Sequence, residues 1–133
     1  MANSFETGVK QVYIAGTDGQ VPFEMQSQGT PQTKEGTALN VNAGATTTIL
    51  SVPVTGFNTA GVIINPSASH NYTLNIYASP DGVIKADKVH TSSTTGGARS
   101  PIMDCPAEFL VIEVVNSDAA AKTYDVWVRK MNK

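Results

Sequence analysis

Few residues in this chain are able to do covalent chemistry. Cys105 is the only thiol. A nucleophilic cysteine needs a base beside it and an electropositive setting. His90 can supply that base, and Asp104 can orient it. Against this, Cys105 is followed by Pro106 at the entry to an apolar strand. Free cysteine in such a place behaves as a small buried hydrophobe, and that is the expectation here. His70 and His90 are the only histidines and stand in polar stretches. No H-x-H, H-x3-H or C-x2-C spacing is present to hold zinc. Asp18 and Asp81 each precede a turn glycine, but no D-x-D-x-D-G run exists, which excludes an EF-hand loop. Eleven scattered acids offer no glycosidase pair that stands out by position. Gly96-Gly97-Ala98-Arg99 lacks the lysine and spacing of a P-loop. It reads as the tip of a flexible loop, Ser92 to Ser100. Asn71-Tyr72-Thr73 matches a glycosylation acceptor, idle without a secretion signal. The expectation is no enzyme, no cofactor and no metal.

The chain that must position these groups has 133 residues and a mass of 14.0 kDa, the size of one domain. A net charge of −2 and only 15% charged residues exclude a basic nucleic-acid binder. No stretch approaches the roughly 18 apolar residues of a membrane span. Neither nucleic acid nor membrane is an expected partner. Residues 1–8 lack the basic and apolar regions of a signal peptide, so synthesis in a cytoplasm is expected. One cysteine excludes an internal disulfide framework. Hydrophobic residues at 41% supply enough apolar surface for a core.

The periodicity is that of strands. Lys10 to Ala15 alternates, and Asp18-Gly19 is a hairpin signal. Val21, Phe23 and Met25 alternate beyond it, with Pro22 marking an edge. Residues 26–37 are polar and read as a linker or a loop on a neighbour. Leu39 and Val41 make a short strand, and Asn42 to Ala45 turns. Thr48, Leu50, Val52 and Val54 share one face of the next strand. Gly61 to Asn65 is apolar on both faces, as in a central strand. Tyr72, Leu74, Ile76 and Ala78 alternate most cleanly. Ser79-Pro80-Asp81-Gly82 is a turn. Val83 to Thr91 holds one or two weaker strands. Phe109 to Val115 is a buried strand. In the last strand Tyr124, Val126 and Val128 face inward, and Asp125, Trp127 and Arg129 face outward.

No window shows a helical stripe. Eight to ten short strands with regular turns predict an all-β fold, an antiparallel β-sandwich or jelly roll with an N-terminal extended arm and hairpin. Residues 1–35 are expected to form the arm and hairpin, an attachment segment, and residues 36–133 the sandwich.

Trp127 and Tyr77 are outward aromatics. A loop, a subunit interface or a sugar can cover such a ring, and interfaces favour Trp, Tyr and Arg. Tyr13, Phe23, Tyr77, Trp127 and Arg129 are the interface candidates. A sugar platform built on Trp127 and Tyr77 is the alternative.

Tyr72-Thr-Leu-Asn-Ile-Tyr-Ala-Ser-Pro-Asp-Gly82, Phe109 to Asn116 and Thr123 to Arg129 together resemble small virion proteins of tailed bacteriophages and prophages. Val12 to Val21 resembles the hairpins that open many tail, baseplate and capsid-decoration proteins. Discoidin-like carbohydrate-binding sandwiches share part of the pattern. The resemblance implies a non-enzymatic virion structural protein that binds major capsid or tail proteins and forms a homo-oligomer, often a trimer. The alternative is a carbohydrate-binding module that serves as a host-surface adhesin. No catalytic residue is implied.

Overall fold

The computed structural model describes residues 13–14, 16–17 and 29–133. Every element among them is a β-strand. Two short strands, β1 (Tyr13–Ile14) and β2 (Gly16–Thr17), pair antiparallel. This pairing reverses the chain before Asp18-Gly19. The expected strand at Val21 to Met25, with Phe23, lies outside the described residues.

The remaining strands are β3 (Thr33–Val41), β4 (Thr46–Pro53), β5 (Thr59–Pro66), β6 (His70–Ser79), β7 (Lys88–Gly96), β8 (Ile102–Asp104), β9 (Phe109–Asn116) and β10 (Lys122–Met131). They form two four-stranded antiparallel sheets that pack as a β-sandwich. Sheet I has the order β4-β9-β6-β7, and sheet II the order β3-β10-β5-β8. Among these eight strands only β6 and β7 are consecutive in one sheet; every other connection between them crosses from one sheet to the other.

The core is made by the inward faces. Val52, Leu74, Ile76, Leu110, Ile112 and Val114 of sheet I meet Val62, Ile64, Tyr124, Val126 and Val128 of sheet II. All are essentially buried. At roughly 1.5–3 kcal/mol per fully buried large side chain, this cluster supplies the main drive to fold. Alternation on β6, β9 and β10 matches the sequence expectation.

Four local expectations are corrected. Thr48 is exposed, because a bulge opposite Ile112 and Glu113 shifts the register so that Ile49 packs on the core. Residues 33–37 are strand rather than linker. They pair along β10, and main-chain bonding at an edge needs no apolar pattern. The Leu39 side chain folds over Gly36 and fills the place where a Cβ would stand. Ser92 to Gly96 is likewise strand, paired with β6 from Leu74 back to His70. The short strand β8, paired with Thr59 to Gly61, gave no sequence signal.

The sandwich begins before β3. Thr30 N–H donates to Lys130 O at 2.9 Å, and Gly29 bridges to Met131.

Candidate functional site

The last strand carries two of the expected interface residues. On β10, Trp127 lies opposite Ile63 of β5 and Lys34 of β3, and Arg129 lies opposite Gly61. All are on the outer face of sheet II. The Lys34 ammonium sits 5.1 Å from the Trp127 ring centre and 3.4 Å from Asp125 Oδ2. Asp125 Oδ1 accepts the N–H of Ala38 at 2.8 Å. Ala38 has φ of 49°, in the left-handed region, and sits where the β3 register slips. Asp125 therefore pins a bulge that distorts the outer edge of sheet II, which protects it from stray pairing. That backbone N–H, opposed by desolvation and assisted by Lys34, holds the Asp125 carboxyl below the usual range.

Beside Arg129 the lack of a side chain at Gly61 opens a hollow of about 270 Å³. Ile63, Pro101, Ile102 and Met131 also line it. Ile102 projects from the short edge strand β8 and is largely exposed.

Tyr77 lies on the other side of the molecule, on the outer face of sheet I. The loop between β6 and β7 folds back over this face. Its ends are tied by Ala86 N–H to Ala78 O at 3.0 Å and Ala78 N–H to Asp87 O at 2.8 Å. Ser51 Oγ donates to Gly82 O. Gly82 has φ of 86°, and a Cβ there would crowd the Phe109 ring and the Ser51 hydroxyl. Beneath this loop Glu113 is buried on the outward side of β9. Lys85 Nζ lies 2.6 Å from Glu113 Oε2. Asn75 Nδ2 and the Tyr77 hydroxyl donate to Oε1 at 3.0 and 3.3 Å. Lys85 and Lys88 stand 5.7 and 5.6 Å from the Tyr77 ring centre. Burial alone would raise the Glu113 pKa, but the Lys85 and Asn75 bonds outweigh it and hold the carboxyl below its ordinary value.

The two outward aromatics therefore occupy opposite faces, and no single platform contains both. Tyr13 is in β1, and Phe23 lies outside the described residues.

His70 is buried where the sequence suggested a polar loop. Its Nδ1 donates to Ala68 O at 2.8 Å, because a carbonyl can only accept. In the neutral ring Nε2 then accepts the Tyr124 hydroxyl at 2.6 Å. His70 also stacks on Tyr72 at 5.0 Å. Burial, with Tyr72 and Asp118 nearby, pushes the Tyr124 hydroxyl up to about 12.

The Gly96-Gly97-Ala98-Arg99 stretch is a built corner rather than a loop tip. Gly97 O accepts the Tyr72 hydroxyl at 2.6 Å. The Arg99 main chain pairs with Ile64 of sheet II. Its guanidinium lies 3.8 Å over the Tyr72 ring and donates to Ser92 O and Tyr72 O of sheet I, at 2.9 and 3.0 Å. One residue thus clamps the two sheets.

Cys105 is buried, and burial followed by the Asp104 charge pushes its thiol up to about 11. That is the direction opposite to activation. The His90 ring meets Ser92 Oγ at 3.2 Å, not the thiol. Burial and the Arg99 charge lower the His90 pKa.

No family model matches the chain. No curated protein matches it. Solved structures do. A Bacillus endospore appendage, of a family described as disulfide-linked pili, is 14% identical. It covers 78% of this chain and 93% of its own, with a TM-score of 0.50. The PRD1 vertex protein P5 is 14% identical over 80% of this chain and 92% of its own, also at 0.50. A carbohydrate-binding module from Cellvibrio mixtus lichenase 5A, solved with cellotriose, is 15% identical over 80% and 90%, at 0.43. At these identities the first two show the β-sandwich fold alone.

Proposed function

We propose that the chain is a non-enzymatic structural protein of a bacteriophage particle, a capsid decoration or a tail or baseplate component. It is made in the bacterial host cytoplasm and resides in the virion. The observation that carries this reading is the outer face of sheet II. Trp127, Ile63 and Arg129 stand there beside an apolar hollow, the chemistry of a protein interface rather than of a reaction centre. Two supports stand beside it. The strand orders of the sheets read as two interlocked Greek keys, a jelly roll, an architecture capsid proteins use. The PRD1 vertex protein shares the sandwich.

The partners on this reading are major capsid or tail proteins and further copies of the chain, the trimer being the state the resemblance implies. Attachment is assigned to the N-terminal segment expected at residues 1–35. Because residues 33–35 belong to β3 and Thr30 is already bonded to Lys130, the test cuts after residue 28. Particles from a prophage lacking the gene are incubated with the full chain or with residues 29–133. The shorter chain is expected to keep its cooperative melt and to lose particle binding. Binding equal to that of the full chain would overturn the attachment role, and loss of folding would show that the segment is no separate arm.

One observation favours the glycan reading as runner-up. Trp127 is partly exposed on a sheet face between Asp125 and Arg129, with Lys34 across from it, a ring edged by hydrogen-bonding groups. Trp127→Ala would then abolish binding on a glycan array without lowering the melting temperature. An unchanged array profile would remove this reading.

A further inference from the structure

Only three large hydrophobic side chains are strongly exposed among the described residues: Val83 at 78%, Ile84 at 57% and Ile102 at 62%. They fall on opposite faces. Val83 and Ile84 form the tip of the loop that covers sheet I. Ile102 walls the hollow on sheet II.

The tip is held rigidly. Asp81 Oδ1 accepts the N–H groups of both Val83 and Ile84, at 2.9 and 3.0 Å. Ser79 Oγ accepts from Gly82 N–H at 2.9 Å, and Lys85 is fixed to Glu113 just beyond. The two apolar side chains are thus presented to water on a frame that has already lost its freedom, the arrangement that lowers the cost of binding.

We infer that the Val83–Ile84 tip of one copy docks in the Gly61 hollow of a second copy, a head-to-tail contact between identical chains. The fit is mainly apolar: Ile63, Pro101, Ile102 and Met131 line the hollow together with Gln32, Ser100 and Arg129. The hollow of about 270 Å³ holds the volume of roughly nine waters, comparable with the side-chain carbons of a valine and an isoleucine. Charge complements the fit, since Asp87 follows the tip in the loop and Arg129 lines the hollow. Because tip and hollow lie on opposite faces, each copy keeps one of them free after pairing. The contact repeats, closing into a ring such as a trimer where the rotation allows and running on as a stack where it does not. The inference stands whether or not the chain resides in a virion.

Sedimentation of the full chain over a wide concentration range tests it, with Ile84→Asp as the tip variant and Ile102→Asp as the hollow variant. Both positions are exposed, so folding is expected to survive, and circular dichroism checks this. The unmodified chain is expected to self-associate and each variant to weaken that by roughly 10- to 100-fold, as loss of one buried aliphatic side chain implies. Mixing the two variants should restore dimers and nothing larger, because the mixture holds one intact tip and one intact hollow per pair. An unmodified chain that stays monomeric throughout would overturn the inference. So would variants that associate like the parent, or a mixture that forms no dimer or regains the parental series.

Discussion

Lys85→Met removes the ammonium that anchors the covering loop to Glu113 and keeps most of the aliphatic stem. A hydrogen bond to a charged group contributes about 1.5–3 kcal/mol, and exposed ion pairs only about 0–1. Here the Glu113 side chain is 9% exposed and that of Lys85 35%. The pair falls between those limits, and a loss of about 1–2 kcal/mol is expected. For a domain of this size that lowers Tm by roughly 4–8 °C. The pH dependence is the sharper readout. The Glu113 carboxyl sits below its ordinary value in the folded protein: burial opposes ionisation, but Lys85, Asn75 and Tyr77 outweigh it. A carboxyl lowered in this way contributes stability that is complete above its unfolded pKa and lost as pH falls through its folded pKa. Without Lys85 the burial effect meets less opposition and the folded pKa rises. The gap between parent and variant should therefore be full at neutral pH and shrink once Glu113 is protonated in both. Urea titrations across that range measure it. A loss that does not vary with pH would show that Lys85 acts through packing. No loss at all would refute the anchoring role.

Other outcomes follow from the same geometry. Asn116 is fully buried and donates to Val41 O and Ala120 O at 3.1 and 3.0 Å. Asn116→Ala strands these acceptors at about 1–3 kcal/mol each, and thermal melts should show one of the larger losses in the fold. Arg99→Lys cannot reproduce the fork that reaches Ser92 O and Tyr72 O. It should cost roughly 1–3 kcal/mol in a denaturant titration, and a neutral result would contradict the clamp. Cys105 should react with an aromatic disulfide reagent slowly in the native protein and quickly once unfolded, as its raised pKa and burial require. Fast native reaction would contradict the packing assigned to it.

The sandwich was legible where one face of a strand meets the core over its whole length. Tyr72, Leu74, Ile76 and Ala78 read as a strand because each inward side chain is aliphatic or aromatic and buried. Edge strands hid because they obey other rules. β7 closes its corner with polar groups, where Arg99 reaches Ser92, so its Ser and Thr residues looked like a loop. β3 is held by main-chain bonds to β10 and by Leu39 folded over Gly36. The bulge at Ile49 flips the residues of β4 that precede it, Thr48 among them, since one extra residue inverts an alternation of period two, while Leu50 and Val52 keep the expected face. At the candidate site, alternation placed Trp127 and Arg129 outward on β10. The hollow beside them was invisible, because Gly61, Pro101 and Met131 come from separate segments. Glu113, a lone carboxylate at an outward position in Phe109 to Asn116, is the one sequence signal of the polar cluster on sheet I. The covering loop that buries it has no sequence pattern of its own.

The central claim is that this sandwich is a building block of a phage particle. Quantitative mass spectrometry of purified particles from the source phage or induced prophage tests it most directly. The account predicts a fixed copy number: hundreds per particle for a capsid decoration, a few to a few dozen for a tail or baseplate component. Absence of the chain from purified particles would contradict it.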